Sequence, residues 1–368
     1  MDAFYGMITN IDENVGRLRG KLTELGLDEN TVLIYMSDNG TAAGVSRVED
    51  AAWKGFNAGM RGIKGSEYEG GHRTPFFVHW PAGGLEGGRD VDRLTANVDI
   101  MPTLMDLCGL DWRAREFDGT SLAPLLQDEG VAWADRVLVT DSQRITAPEK
   151  WRKSAAMSQR WRLVNGVELY DMENDPSQEK DVAAEHPEVV DRLRRAYEAW
   201  WEKVSRQFDG TVPLVLGAAE APATMLNAHD WRNPEAECAW NQTQVRAGLA
   251  CNGYWEVEVA RPGTYRIELR RWPKEEDRPI REGIEGALVG YNAIGDGYGG
   301  GRALAVEEAV LEVAGQTFSS PVGEADKGVV FRAALDAGET VLLSRFTTAG
   351  GEEVGAYYVY VEREDDLA

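Results

Sequence analysis

The hydrophobic pattern of this chain changes period once, near residue 208, and that change limits the fold on either side of it. Upstream, apolar residues recur at helical spacing or form short unbroken runs. Phe4, Ile8, Ile11, Val15, Leu18, Leu22 and Leu25 repeat in steps of three and four, which predicts an amphipathic helix of about seven turns stopped by Gly26. Residues 31–37 (TVLIYMS) are apolar and open on β-branched side chains. That is the pattern of a strand buried on both faces of a parallel sheet. A glycine-rich loop follows, then residues 75–80 (PFFVHW) as a second buried strand. Residues 98–107 predict a helix with Pro102 in its first turns, 136–141 a strand, and 161–164 with 168–170 a small hairpin. Residues 186–207 predict a second long helix, with Val189, Leu193, Tyr197 and Trp201 on one stripe.

Downstream, the period is two. Trp255, Val257 and Val259 alternate with Glu256 and Glu258, and Tyr265, Ile267 and Leu269 with Arg266, Glu268 and Arg270. Residues 310–313, 329–332, 341–346 and 357–361 continue the pattern between Gly, Pro and Asp. The expectation is an α/β portion over residues 1–207 followed by an all-β sandwich over 208–368. Trp255 is in phase with Val257 and Val259 and should point into the core. Trp272, before Pro273 in a loop rich in Arg and Glu, is the better candidate for an exposed sugar-stacking ring among Trp231, Trp240, Trp255, Trp272 and Tyr254.

Charge excludes some partners. With 39 Lys and Arg against 62 Asp and Glu the net charge is −23, which argues against nucleic acid or an anionic membrane surface. No apolar run approaches the roughly 18 residues of a membrane span, and residues 1–4 carry no basic or apolar leader. Three cysteines (Cys108, Cys238, Cys251) rule out a disulfide framework. At most Cys238 and Cys251 could pair, and buried free thiols are the expectation. Nothing in the sequence sets the oligomeric state.

Two places hold candidate chemistry. Asp38 and Asn39 follow the first strand, and their oxygens are hard ligands suited to Ca²⁺ or Mg²⁺, although an Asx turn needs the same residues. Residues 60–75 (MRGIKGSEYEGGHRTP) hold four glycines that allow close backbone approach, with Arg61, Lys64, His72 and Arg73. A lysine in such a loop can clamp a sulfate or phosphate as a point charge.

Residues 31–40, 62–75, 97–109 (NVDIMPTLMDLCG), 118–126 (DGTSLAPLL) and 168–176 (ELYDMENDP) resemble, in order, the type I sulfatases of the alkaline-phosphatase superfamily. The resemblance covers about residues 1–205 and implies the C-terminal portion of a doubly wound α/β sulfatase domain, with a small subdomain over about 150–207. The β-sandwich resembles the domain appended to many bacterial sulfatases. By this resemblance the activity is sulfuric ester hydrolysis of a sulfated carbohydrate or aryl sulfate. Asp38 and Asn39 would be ligands of a calcium ion, with Mg²⁺ the lesser candidate. Lys64 would be the catalytic and substrate-binding cation, acting electrostatically on the sulfate. His72 would contact substrate or support the loop, and Asp99 would cap the helix holding Pro102. Trp53, Lys54 and Asn57 occupy the stretch where relatives read the leaving group. Such bacterial enzymes are commonly exported to the periplasm or beyond.

The sequence departs from the family in two respects. The nucleophile is a formylglycine made within Cys/Ser-x-Pro-x-Arg, and no cysteine or serine here lies in that motif. The early Asp-Asp calcium ligands are absent too. The expectation is that the chain is a fragment, Met1 being an internal methionine, and that it is inactive alone. Phosphate or phosphonate ester hydrolysis is the nearest alternative activity, and a non-catalytic anion- or carbohydrate-binding protein the alternative of another class.

Overall fold

A computed structural model describes residues 2–42, 55–111, 115–127, 130–143, 145, 147–233, 238–289 and 299–364. The chain forms two compact units, Met1–Phe208 and Asp209–Ala368.

In the first unit, α1 (Asp2–Glu24) leads to β1 (Leu33–Met36). Gly26 ends the helix as read: at φ 66° its N–H donates to the Thr23 carbonyl, and the Leu27 N–H reaches back to Leu22, a Schellman closure. The apolar stripe of α1 is not covered, since Ile8, Ile11 and Leu18 are exposed. After α2 (Glu69–His72) comes β2 (Phe76–His79), which pairs with β1 in antiparallel register from Leu33↔His79 to Met36↔Phe76. This corrects the expectation of a parallel strand buried on both faces. Among the described residues β1 has one partner strand, so Tyr35 and Met36 stay exposed. Next are α3 (Ile100–Leu107), α4 (Ala123–Gln127), and the strands β3 (Leu138–Asp141), β4 (Ser154–Met157), β5 (Trp161–Val164) and β6 (Glu168–Asp171), which make an antiparallel sheet in chain order.

That sheet is covered on both faces, and strand alternation decides what each face carries. Ala156, Trp161, Leu163 and Leu169 pack against Val190, Leu193 and Tyr197 of α5 (Pro187–Ser205). The other face presents Ala155, Met157, Val164 and Tyr170 to Tyr68 of the glycine-rich loop. Asp99 corrects a further expectation. Its carboxylate does not cap α3; it accepts from the N–H groups of Ala96 and Thr120, both at 2.8 Å, and pairs with Arg136. Fully buried, it ties residues 96–99 to the 118–121 segment.

Among the described residues the second unit is all-β apart from α6 (Gln242–Ala247) and a single 3₁₀ turn at Ala228–Asp230. Its strands are β7 (Leu214–Leu216), β8 (Ala223–Asn227), β9 (Tyr254–Val259), β10 (Gly263–Arg270), β11 (Ile284–Leu288), β12 (Gly299–Gly301), β13 (Val306–Val313), β14 (Gln316–Pro321), β15 (Val329–Leu335), β16 (Gly338–Thr348), β17 (Glu353–Gly355) and β18 (Tyr358–Arg363). One sheet runs β15-β10-β18-β8 and the other β14-β13-β16-β9-β7, with β17 on β16 and β11 paired to β12. Trp255, Val257, Tyr265, Ile267, Leu311 and Phe346 fill the space between them. Trp255 is fully buried, as its phase predicts. Trp272 is buried too, at 1% exposure, because its indole N–H donates to the Glu282 carbonyl and Arg271 lies over its ring. Trp240 is the exposed indole, at 46%.

The three cysteines are free thiols, Cys251 buried and Cys108 exposed, so the expectation of burial fails for Cys108. No helix among the described residues is long and apolar enough to cross a membrane.

Candidate functional site

Glycine lets two backbone segments meet where no side chain would fit. The Gly40 N–H donates to the Gly71 carbonyl at 3.0 Å, and a Cβ on Gly40 would lie 1.9 Å from the Gly70 oxygen. A Cβ on Gly70 would lie 2.1 Å from the Gly62 oxygen. The turn after β1 therefore lies directly on the loop that carries Lys64. The Lys64 N–H closes the contact by donating to the Thr41 carbonyl at 3.0 Å.

Two clamps hold this loop to the β3–β6 sheet. Arg61 stacks on Tyr68 at 3.8 Å and donates to the Tyr170 hydroxyl at 2.9 Å and the Gln178 carbonyl at 3.0 Å. Both phenols donate to Glu168. Burial, and then the Glu168 carboxylate, raises the pKa of each phenol above its ordinary range, so both remain protonated donors. The second clamp is Glu69, which is buried against Arg162 at 2.6 Å and approached by Arg73 at 3.6 Å. Of the three cationic side chains in the loop, Arg61 and Arg73 are thus engaged within the fold.

Asp38, Asn39, Lys64 and His72, the four site residues expected from sequence, line one cavity of about 210 Å³. Lys64 is exposed there, and no ion pair holds it among the described residues. His72 has two different ring nitrogens. Its ring donates to the Glu67 backbone, and Nε2 is buried with no partner among the described residues. Burial, reinforced by Arg162, lowers its pKa, whereas Glu69 acts the other way. A neutral ring that donates once leaves the other nitrogen as an acceptor, so the buried Nε2 of His72 does not act as a cationic contact for an anion.

Sequence reasoning missed the far wall. Thr140, Asp141 and Ser142 at the end of β3, and Lys153 before β4, line the same cavity. They lie about 70 to 90 positions downstream of Lys64 and arrive through strand pairing, with Asp141 opposite Ser154. The polar end of the 136–141 strand was the available signal. Asn57 is not at the cavity; its amide donates to the Met60 and Gly62 carbonyls at 3.2 and 3.1 Å and braces the loop. Trp53 and Lys54 lie outside the described residues.

The metal expectation meets an incomplete donor set. Asp38 and Asn39 supply two hard oxygens, whereas calcium takes about six to eight. Among the described residues no group of three or more His, Cys, Asp or Glu side chains converges as a metal site. These residues by themselves do not build a calcium site.

The fold places a polar cavity where a strand end meets a glycine-rich loop. Residues 1–110 match the family model for sulfatases, and residues 64–202 the model for the C-terminal part of N-sulphoglucosamine sulphohydrolase. An arylsulfatase of Clostridium perfringens is 33% identical over 203 residues, which cover 52% of this chain and 38% of that protein. An N-acetylgalactosamine-6-O-sulfatase of Bacteroides thetaiotaomicron is 28% identical over 218 residues, 52% of this chain and 40% of that protein. Among solved structures, that of Ps i-CgsB is 26% identical and covers 53% of this chain and 42% of its own, with a TM-score of 0.45. Residues 1–202 belong to the sulfatase family, as a C-terminal portion of its α/β domain. The chain spans about two fifths of the length of these two curated relatives.

Proposed function

We propose that this chain is part of a sulfuric ester hydrolase acting on a sulfated carbohydrate, and that the cavity of Asp38, Asn39, Lys64 and His72 is part of its substrate site. One observation carries the reading: side chains from three separate segments converge on one cavity. Lys64 supplies the charge that holds a sulfate and offsets negative charge developing on it. His72, neutral and largely buried, forms part of the cavity wall. The names of the relatives, an arylsulfatase and an N-acetylgalactosamine-6-O-sulfatase, support the ester class. The choice of carbohydrate over an aryl sulfate rests on the second name.

For the metal, the reading is Ca²⁺, with Asp38 and Asn39 giving two of its oxygens and the remainder coming from outside the described residues. Calcium tolerates irregular oxygen shells, whereas Mg²⁺ demands a near-octahedral one. Bond cleavage needs a nucleophile. In this reading it is a formylglycine outside these 368 residues, which contain no Cys/Ser-x-Pro-x-Arg. A periplasmic or extracellular location follows from the resemblance to exported bacterial enzymes.

Titration calorimetry of the 368-residue chain tests the site. Sulfate should bind, and Lys64→Ala should weaken it about tenfold, as expected for one charge-assisted hydrogen bond. Sulfate affinity unchanged in Lys64→Ala would remove Lys64 from the site. Phosphate binding much more tightly than sulfate would favour the phosphate-ester activity.

A further inference from the structure

Lys153 reaches the cavity from a different wall than Lys64, on the connection between β3 and β4. Its backbone is unusual. Lys153 has φ 42° and Trp151, two residues earlier, φ 66°, values rarely adopted by residues with a side chain. Neighbouring structure imposes them. The Ser142 N–H donates to the Lys153 carbonyl at 3.1 Å, and the Ser154 N–H to Asn165 Oδ1 at 3.1 Å. Trp151 stacks on Tyr197 with centroids 3.5 Å apart, and its N–H donates to the Tyr197 hydroxyl at 2.8 Å. Backbone strain held by several independent contacts is a reason to look for function there.

The side chain so placed is exposed and has no ion pair among the described residues. Two of the acids lining the cavity are hydrogen-bonded within the fold: Asp141, on the same wall, accepts from Gln143 at 2.8 Å, and Glu67, on the Lys64 loop, from Asn165 at 3.0 Å. Lysine is a compact point charge that answers one anion. A cavity of about 210 Å³ has the volume of roughly seven waters, more than one sulfate group fills.

We propose that Lys153 is a specificity-determining residue that binds a second anionic group, a sulfate or carboxylate, carried by the substrate beside the ester held at Lys64. This rests on the reading of the cavity as the substrate site. It narrows the substrate class to carbohydrates bearing at least two negative charges.

The test titrates the 368-residue chain with inorganic sulfate, a glucosamine monosulfate and a glucosamine disulfate. The chain should prefer the disulfate over the monosulfate by about tenfold, the scale of one charged hydrogen bond. Lys153→Asn, whose side chain tolerates the left-handed region, should abolish that preference, and Lys153→Arg should keep it. Lys153→Gly, unstrained there, repeats the test without relying on asparagine. Lys64→Ala should weaken all three probes. A disulfate preference that survives in both Lys153→Asn and Lys153→Gly overturns this inference alone, as does a loss shared equally by all three probes. If Lys64→Ala changes nothing, or the unaltered chain binds no probe, the reading of the cavity fails and this inference falls with it.

Discussion

Arg162 Nε donates to Glu69 Oε1 at 2.6 Å, with both side chains nearly sealed from solvent. The pair joins β5 to the short helix after Lys64, so a charge inside the small sheet sets where the loop sits. Arg162 is further held by the Ser158 and Trp161 carbonyls. Removing one partner leaves a buried charge uncompensated. Arg162→Ala should therefore destabilise the first unit by about 3–5 kcal/mol, and the double change Glu69→Leu with Arg162→Leu by much less. Urea unfolding of the two variants measures this; equal losses in the single and the double variant would argue that shape, not charge, matters here.

Gly70 and Gly16 should respond oppositely to alanine. A Cβ on Gly70 meets backbone oxygens 2.1 and 2.7 Å away, whereas one on Gly16, inside α1, meets nothing within 4 Å. Gly70→Ala should cost about 1–3 kcal/mol or more and weaken sulfate binding. Gly16→Ala should stabilise by about 0.5–1 kcal/mol. Thermal melts of the two variants decide the matter.

His72 predicts an acid dependence of stability. Its folded pKa lies below the ordinary 6.5, first because it is buried. As pH falls through 6.5 the unfolded chain takes up the proton more readily than the folded one, so stability is full above that pH and declines below it. Unfolding free energies between about pH 7.5 and 5 should show this slope, flattened in His72→Gln. An unchanged slope in that variant would assign the titration elsewhere.

Hydrolysis should be absent from the 368-residue chain. Lys64 can hold an anion, but a nucleophile is needed to cleave it, and no Cys/Ser-x-Pro-x-Arg occurs in the sequence. The purified chain with calcium should give no turnover of a chromogenic aryl sulfate. Clear turnover lost in Lys64→Ala would refute this.

In the second unit, Arg271 is fully buried and donates to backbone carbonyls: Arg302 at 2.6 Å, Glu282 at 3.3 Å, Ile280 at 3.4 Å and Arg246 at 3.5 Å. Burial lowers its pKa to about 10, so it stays charged at neutral pH. Arg271→Met strands these acceptors, at roughly 1–3 kcal/mol for each one left buried. Calorimetry should show the melting of the second unit lowered, and that of the first unit unmoved.

The sequence by itself determined the change of architecture near residue 208, because strand and helix periods differ and each is written in local spacing. It also determined the four residues Asp38, Asn39, Lys64 and His72 as site candidates, since their motifs are short and contiguous, and the inward phase of Trp255. Tertiary structure decided the rest. Trp272 looked exposed beside Pro273, yet Arg271 and the Glu282 carbonyl bury it. The β1 strand looked enclosed, but antiparallel pairing with β2 leaves one side open. Lys153 carries no local signal at all. Its place at the cavity that Lys64 also lines comes from strand register and a left-handed backbone held by Tyr197 and Asn165, contacts that join residues far apart in the chain and that no local period encodes.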